Sequence, residues 1–186
     1  MHLAFLVNQV LPGKQFDKIA IFGTMNKIKY LLLFVVITAA FASCKKFGAV
    51  DNFDHAGQFI TDTTLIRKFI TENEIPAIKH ESGVFYQIID PGEGDVKYTI
   101  DTKVSAEYEG RLLNGTVFDK SKGTPISFTL GRVIAGWQIG IPLIQKGGKI
   151  RLIIPSQYGY SNSSAGSIPP SSVLDFTVHL DDVINN

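Results

Sequence analysis

The sequence feature that most restricts the fold is an Asn-Gly dipeptide between two segments of alternating apolar and polar residues. Asn114 and Gly115 lie in the middle of RLLNGTVFD, and both residue types readily adopt the positive φ angles that a tight turn requires. This pattern predicts a β-hairpin that joins residues 109–113 to residues 116–119. The chain is therefore expected to contain an antiparallel sheet around this turn.

Other segments alternate with a period of two residues, which is typical of strands. Strands are predicted at 83–89, 102–108, 126–130, 149–155 and 173–183. Ile134, Trp137 and Ile141 lie at i, i+3 and i+7, which indicates a short helix that Pro142 must end. Antiparallel strands with one short helix predict an α+β domain in which the helix covers one face of the sheet.

A helix is expected before this domain, over residues 61–75. Thr61 or Asp62 can cap its first turn, and Pro76 disfavours helix at the residue before it. Its apolar residues recur at helical spacing and form one stripe. They are Leu65, Ile66, Phe69 and Ile70. The stripe is expected to pack on the following domain, and a dimerisation helix is the alternative interpretation.

The N-terminal part has the charge pattern of an export signal. Residues 25–43 combine Lys27 and Lys29 with an apolar run that is shorter than the about 20 residues of a membrane-spanning helix. The run ends in FASC, which resembles the lipobox of bacterial lipoproteins, with Phe41 in place of the usual Leu. We therefore predict a lipoprotein signal peptide over 25–43 and lipidation of Cys44. A short transmembrane anchor and a free thiol are the alternatives.

The signal is already complete from Met25 onwards. A signal peptide normally has its charged region at the very start of the protein, so no residues are expected before Met25. Residues 1–24 are therefore interpreted as a mis-annotated upstream segment without a fold, with translation starting at Met25. Residues 44–60 have a mixed composition and are expected to form a tether.

Composition excludes several classes of function. The net charge is only +1, so a basic face for nucleic acid is not expected. Cys44 is the only cysteine, and the four histidines are scattered without ligand spacing. We therefore predict no disulfide framework, no metal site and no cofactor.

Aromatic side chains recur in three segments, residues 108–137, 153–160 and 167–180. An aromatic cluster alone usually indicates core packing, which is the alternative interpretation here. However, Tyr108, Asp119 and Tyr160 place polar tips among the aromatic residues, as a ligand pocket requires.

The chain resembles the FKBP family of peptidyl-prolyl cis-trans isomerases in four motifs with matching order and spacing. They are YEGRLLNGTVFDKS, FTLGRVIAGW, GGKIRLIIPSQYGY and IPPSSVLDFTVHL. The resemblance covers about residues 82–184 and implies that residues 76–186 form an isomerase domain. It also implies the family's α+β fold, a twisted antiparallel sheet of five to six strands wrapped around one short helix.

The resemblance implies a pocket for a prolyl segment. Trp137 would form its floor and the other aromatic rings its walls, while the Ile134 N–H and the Tyr160 hydroxyl would bind substrate carbonyls. Asp119, Tyr160 and Tyr108 are the implied catalytic residues. The implied substrate-binding residues are Tyr108, Phe118, Asp119, Val133, Ile134, Trp137, Tyr160, Ile168 and Phe176.

Three departures from the family pattern concern the loops around this pocket. Ile126 stands where the family often has an aromatic wall, and the segment between Leu130 and Val133 is short. Ser161 follows Tyr160 where the family often has Gly. These departures affect loop contacts and sequence preference more than the chemistry.

The resemblance implies an isomerase that accelerates X–Pro rotation in envelope proteins by binding the prolyl segment in a dry aromatic pocket. The implied partners are unfolded or proline-containing protein segments, tacrolimus-like macrolides and a membrane reached through the lipid anchor. The implied location is the bacterial cell envelope, facing the periplasm or the exterior. The alternatives are a non-catalytic proline-binding or chaperone module on the same fold and a structural envelope lipoprotein.

Overall fold

A computed structural model of the chain describes residues 52–184. From Phe53 onwards these residues belong to one compact unit. The predicted upstream segment 1–24, the signal peptide 25–43 and the lipidation site Cys44 lie outside the described residues. In the part that the structure describes, no helix is both long and apolar enough to cross a membrane.

Helix α1 (His55–Glu72) begins earlier and ends earlier than the predicted 61–75. The Asp54 carboxylate is its N-cap and accepts a hydrogen bond of 2.8 Å from the Gly57 N–H. This bond satisfies one of the free amides of the first turn and fixes the start of the helix there. The prediction that residues 44–60 form a tether is therefore wrong from His55 onwards.

The two residues predicted to cap α1 both lie inside it. The Thr61 hydroxyl donates to a carbonyl of the preceding turn, and the Asp62 side chain is buried. The predicted apolar stripe does pack on the domain through Ile66, although Leu65 is exposed. Ile66 belongs to a hydrophobic cluster with Ile75, Phe85, Ile153 and Val173.

The strands of the described residues form one seven-stranded antiparallel sheet with the order β1-β2-β6-β7-β3-β4, and β5 also pairs with β3. The strands are β1 (Ile78–Lys79), β2 (Phe85–Asp90), β3 (Lys103–Leu112), β4 (Val117–Lys120), β5 (Ile126–Thr129), β6 (Lys149–Ile154) and β7 (Leu174–Ile184). The prediction of five to six strands missed the very short β1. It also divided β3 at residue 109. This division is wrong, because the alternation of buried residues continues through a single long strand.

The Asn-Gly turn is confirmed as a hairpin between β3 and β4. Gly115 has a φ of +86°, and its N–H donates to the Leu112 carbonyl at 2.9 Å. The Asn114 side-chain oxygen accepts a hydrogen bond of 3.0 Å from the Thr116 N–H. The hairpin places β4 beside residues 109–111 of β3, while β5 pairs with residues 103–106 of the same strand.

Helix α2 (Ala135–Gly140) packs on the sheet at β6. A Cβ at Gly136 would lie 2.5 Å from Ile154, and a Cβ at Gly140 would overlap Leu152. Because these two glycines lie four residues apart on one helix face, they let the helix backbone approach the strand closely. The neighbouring Trp137 is thereby held in the main hydrophobic cluster of the domain.

Candidate active site

A cavity of about 330 Å³ opens beside α2 and the part of β3 around Tyr108. It is lined by Tyr108, Asp119, Phe128, Arg132, Val133, Ile134, Trp137, Tyr160 and Phe176. The structure therefore brings together all of the predicted binding residues except Phe118 and Ile168 at one opening.

Trp137 forms the inner end of the cavity and is only 4% exposed. Three rings meet its indole edge to face: Tyr108 at 5.2 Å, Phe128 at 5.3 Å and Phe176 at 5.3 Å between ring centroids. Such edge-to-face contacts are favourable and fix the orientation of the rings. The four rings make the inner end of the cavity an apolar box, in which the indole Nε1 has no hydrogen-bond partner among residues 52–184.

The turn before α2 supplies the backbone donor of the site. Ile134 is the N-cap of α2, and its carbonyl accepts hydrogen bonds from Trp137 and Gln138. The Gln138 side chain donates back to the Val133 carbonyl at 2.8 Å, which holds the turn in place. The Ile134 N–H has no acceptor among residues 52–184 and is therefore available to a ligand carbonyl.

Phe118 and Ile168 support the walls of the cavity rather than lining it. Phe118 packs edge to face on Phe176 with 5.4 Å between ring centroids. Ile168 is buried in the same hydrophobic cluster as Trp137. Gly110 of β3 makes room for both phenylalanines, because a Cβ there would lie 2.5 Å from Phe176 and 2.6 Å from Phe118.

Polar groups lie on one side of the cavity. The Tyr108 hydroxyl donates to the Asp119 carboxylate at 2.7 Å. Burial raises the pKa of Tyr108 to about 12, and the hydrogen bond and charge of Asp119 act in the same direction, with a contribution from Tyr160. Tyr108 therefore stays protonated at neutral pH and orients the carboxylate. Tyr160 is 39% exposed, so its hydroxyl is accessible at the rim.

Two lining residues, Phe128 and Arg132, were not predicted. Ile126, which stands where an aromatic wall would be expected, is 43% exposed and does not line the cavity. Phe128 follows two residues later, on the same face of β5, and contacts both Trp137 and Tyr108. The period-two alternation of this strand was the available signal for Phe128. Arg132 is positioned by the 3-10 turn Leu130–Arg132, for which the sequence carries no comparable signal.

Comparisons with known proteins identify the family to which this site belongs. The family model described as FKBP-type peptidyl-prolyl cis-trans isomerase matches residues 94–181. An FKBP-type peptidyl-prolyl cis-trans isomerase FkpA from Buchnera aphidicola subsp. Schizaphis graminum is 44% identical over 109 residues, which are 58% of this chain and 43% of that protein. A probable FKBP-type peptidyl-prolyl cis-trans isomerase from Haemophilus influenzae is 46% identical over 106 residues, which are 55% of this chain and 44% of that protein.

The same similarity extends to a solved structure. The crystal structure of FkpA from Escherichia coli superposes with a TM-score of 0.60 at 32% sequence identity and covers 86% of this chain and 71% of that chain. The chain spans less than half the length of the two curated relatives described above. The region matched by the family model contains strands β3, β4, β5 and β6 in full, helix α2 and every residue that lines the cavity. The chain belongs to the FKBP-type peptidyl-prolyl cis-trans isomerase family.

Proposed function

We propose that this protein is a peptidyl-prolyl cis-trans isomerase that accelerates rotation about X–Pro bonds. The observation that carries the proposal is the apolar box of Trp137, Tyr108, Phe128 and Phe176 at the inner end of an accessible cavity. The cavity volume of about 330 Å³ lies within the range of roughly 300–1,000 Å³ for ligand pockets. A proline ring is compact and apolar, so it suits such a box.

The proposed chemistry requires no nucleophile. An amide rotates over a barrier of about 18–20 kcal/mol because twisting removes its resonance. The twisted amide has a less charge-separated carbonyl than the planar amide, so it loses less when water is removed. A dry aromatic box therefore binds the twisted form better than the planar form, and this difference in binding lowers the barrier.

Three polar groups are proposed to hold the substrate while it rotates. The Ile134 N–H and the Tyr160 hydroxyl donate to substrate carbonyls on either side of the prolyl residue. Asp119, oriented by its hydrogen bond from Tyr108, places a carboxylate beside the rotating bond. Because catalysis rests mainly on the apolar box, each polar group contributes about one hydrogen bond, or roughly 1 kcal/mol.

The test is isomerisation of an X–Pro peptide and proline-limited refolding of a protein substrate by the purified chain. Acceleration of both reactions supports the proposal. Peptide binding without acceleration would favour a non-catalytic proline-binding or chaperone module. A chain that is folded by circular dichroism yet neither binds nor accelerates would favour a structural envelope protein. Trp137→Ala is a poor probe, because a buried Trp→Ala change typically costs about 3–5 kcal/mol of stability.

We propose further that the protein acts in the bacterial cell envelope on unfolded or proline-containing segments, anchored by lipid on Cys44. The FASC motif after the apolar run supports the anchor. Cys44→Ala is expected to shift the protein from the membrane fraction to the soluble fraction. An intact mass that shows an unmodified Cys44 in the membrane-bound protein would rule out the lipid anchor.

A further inference from the structure

Asp62 is a buried acid in helix α1, outside the part of the chain that the family model matches. Its side chain is 0% exposed and forms no ion pair among residues 52–184. Its two oxygens accept hydrogen bonds of 2.7 Å from the Gln58 side chain and 2.7 Å from the Ser156 N–H. A buried carboxylate is costly unless it is hydrogen-bonded, so these two partners define its role.

Ser156 connects Asp62 to the segment that carries Tyr160. The Ser156 carbonyl accepts hydrogen bonds from the Gly159 N–H at 2.9 Å and from the Ser161 N–H at 2.8 Å. These two donors flank Tyr160 on either side. A single residue, held by Asp62 through its N–H, therefore fixes both neighbours of the rim tyrosine through its carbonyl.

The backbone at Ser161 depends on such support. Ser161 has a φ of +54°, a conformation that residues other than glycine adopt rarely. Its N–H is bound to Ser156, and its carbonyl accepts a hydrogen bond of 2.8 Å from the Ser171 N–H. Loosening Ser156 would weaken one of these two restraints on the residue that follows Tyr160.

Helix α1 contacts the same segment at a second point. The Phe59 ring packs edge to face on Tyr158, with 6.3 Å between centroids. The Tyr158 hydroxyl in turn donates to the Ser82 carbonyl at 2.9 Å. Asp62 is thus the hydrogen-bonding part of a wider contact between α1 and the turn Ser156–Tyr158.

We propose that Asp62 is a positioning residue for the isomerase site and holds Tyr160 at the rim of the cavity through Ser156. This inference rests on the proposed isomerase function. It assigns the helix before the family domain a part in catalysis, because the helix supplies the acceptor that the Ser156 N–H would otherwise lack.

The first experiment measures kcat/KM of the full chain on an X–Pro peptide. Asp62→Ala is expected to lower kcat/KM by about the same factor as Tyr160→Phe, roughly fivefold for one hydrogen bond. Asp62→Asn is expected to retain most of the activity, since its amide oxygen can still accept from Ser156 while Gln58 rotates to accept from its NH₂ group. Ile66→Ala is the matched control, because it weakens the apolar packing of α1 on Phe85 and Ile153 but removes no hydrogen bond to Ser156.

A double-mutant cycle separates positioning from a general structural role. If Asp62 acts through the Tyr160 hydroxyl, Asp62→Ala has no further effect on kcat/KM in the Tyr160→Phe background. An equal loss in both backgrounds, or unchanged activity of well-folded Asp62→Ala, would overturn the proposal. A loss in the Ile66→Ala control equal to that in Asp62→Ala would also overturn it.

Hydrogen–deuterium exchange of the full chain tests the same link without any catalysis. Asp62→Ala is expected to speed exchange in peptides that cover residues 156–161, and Ile66→Ala is expected to leave them protected. Protection that is unchanged in Asp62→Ala would refute the positioning role. If the wild-type chain fails to accelerate X–Pro rotation, the proposed function fails while the exchange result still decides whether Asp62 holds the Tyr160 segment.

Discussion

Gly110→Ala tests whether the aromatic walls of the cavity determine its activity. Gly110 lies in β3, opposite Asp119 of β4 and Phe176 of β7. A methyl group at this position would lie 2.5 Å from a ring carbon of Phe176 and 2.6 Å from a ring carbon of Phe118, whereas ordinary contacts are 3.4–4 Å. Both rings must therefore move by about 1 Å to accept one methyl group.

The displaced Phe176 ring would transmit this change to the floor of the cavity. It lies 5.3 Å from Trp137 and 6.3 Å from Tyr108 between centroids. Overpacking of this kind typically costs about 1–3 kcal/mol of stability. A misplacement of about 1 Å can cost up to about 100-fold in rate. We therefore expect a folded variant with kcat/KM lowered roughly 10- to 100-fold.

The assay compares X–Pro isomerisation and thermal unfolding of wild type, Gly110→Ala and Ile66→Val. Ile66 lies in the separate hydrophobic cluster under α1, and its replacement by Val should cost about 0.5–1.5 kcal/mol without changing kcat/KM. A Gly110→Ala protein with wild-type stability and activity would refute this reasoning, because it would show that both rings can accept the methyl group without disturbing the cavity. A similar activity loss in Ile66→Val would show that stability, and not wall geometry, limits the rate.

Further predictions concern the polar side of the cavity and its ligands. Asp119→Asn and Tyr160→Phe should each lower kcat/KM roughly fivefold with unchanged melting temperature, and unchanged rates in both would remove their assigned roles. The raised pKa of Tyr108, about 12, means that the folded protein keeps a proton that the unfolded chain loses above its ordinary value of 10.0. The free energy of unfolding of the wild type should therefore fall between about pH 10 and pH 12, and that of Tyr108→Phe should fall less. Urea denaturation measures both, and an equal fall in the two proteins would contradict this prediction. A tacrolimus-like macrolide should inhibit isomerisation and change the fluorescence of Trp137, the only tryptophan; the absence of both effects would exclude binding.

The fold was predictable wherever the signal was local. The Asn114–Gly115 turn is such a signal, because Gly115 supplies the positive φ that the turn requires. The alternation that buries Val104 and Ala106 on one face of β3 also follows from the sequence alone. The continuity of β3 past residue 108 is not evident from the sequence, because the hairpin pattern begins directly after the preceding strand pattern and resembles a separate segment.

The sequence predicts most of the residues around the candidate site, but it does not show which of them line the cavity and which pack behind its walls. Periodicity shows which residues share a face, but it does not show which of them reach an opening. Phe118 and Phe128 illustrate the difference: one packs behind Phe176, while the other lines the cavity. Their positions depend on the space above Gly110 and on the pairing of β5 with β3, which are distances between strands and not properties of either strand.

Asp62 shows why a residue type that signals a helix cap can have another role. Asp is favoured at N-caps because its carboxylate accepts a backbone N–H. In this chain Asp54 performs that role for α1, whereas Asp62 accepts the N–H of Ser156, 94 residues away in sequence. The chemistry is the same in both cases, and only the tertiary fold decides which amide is bound. A buried carboxylate with a distant backbone partner therefore links α1 to the Tyr160 segment, so we expect that loss of this one hydrogen bond weakens the site while a loss of apolar packing under the helix does not.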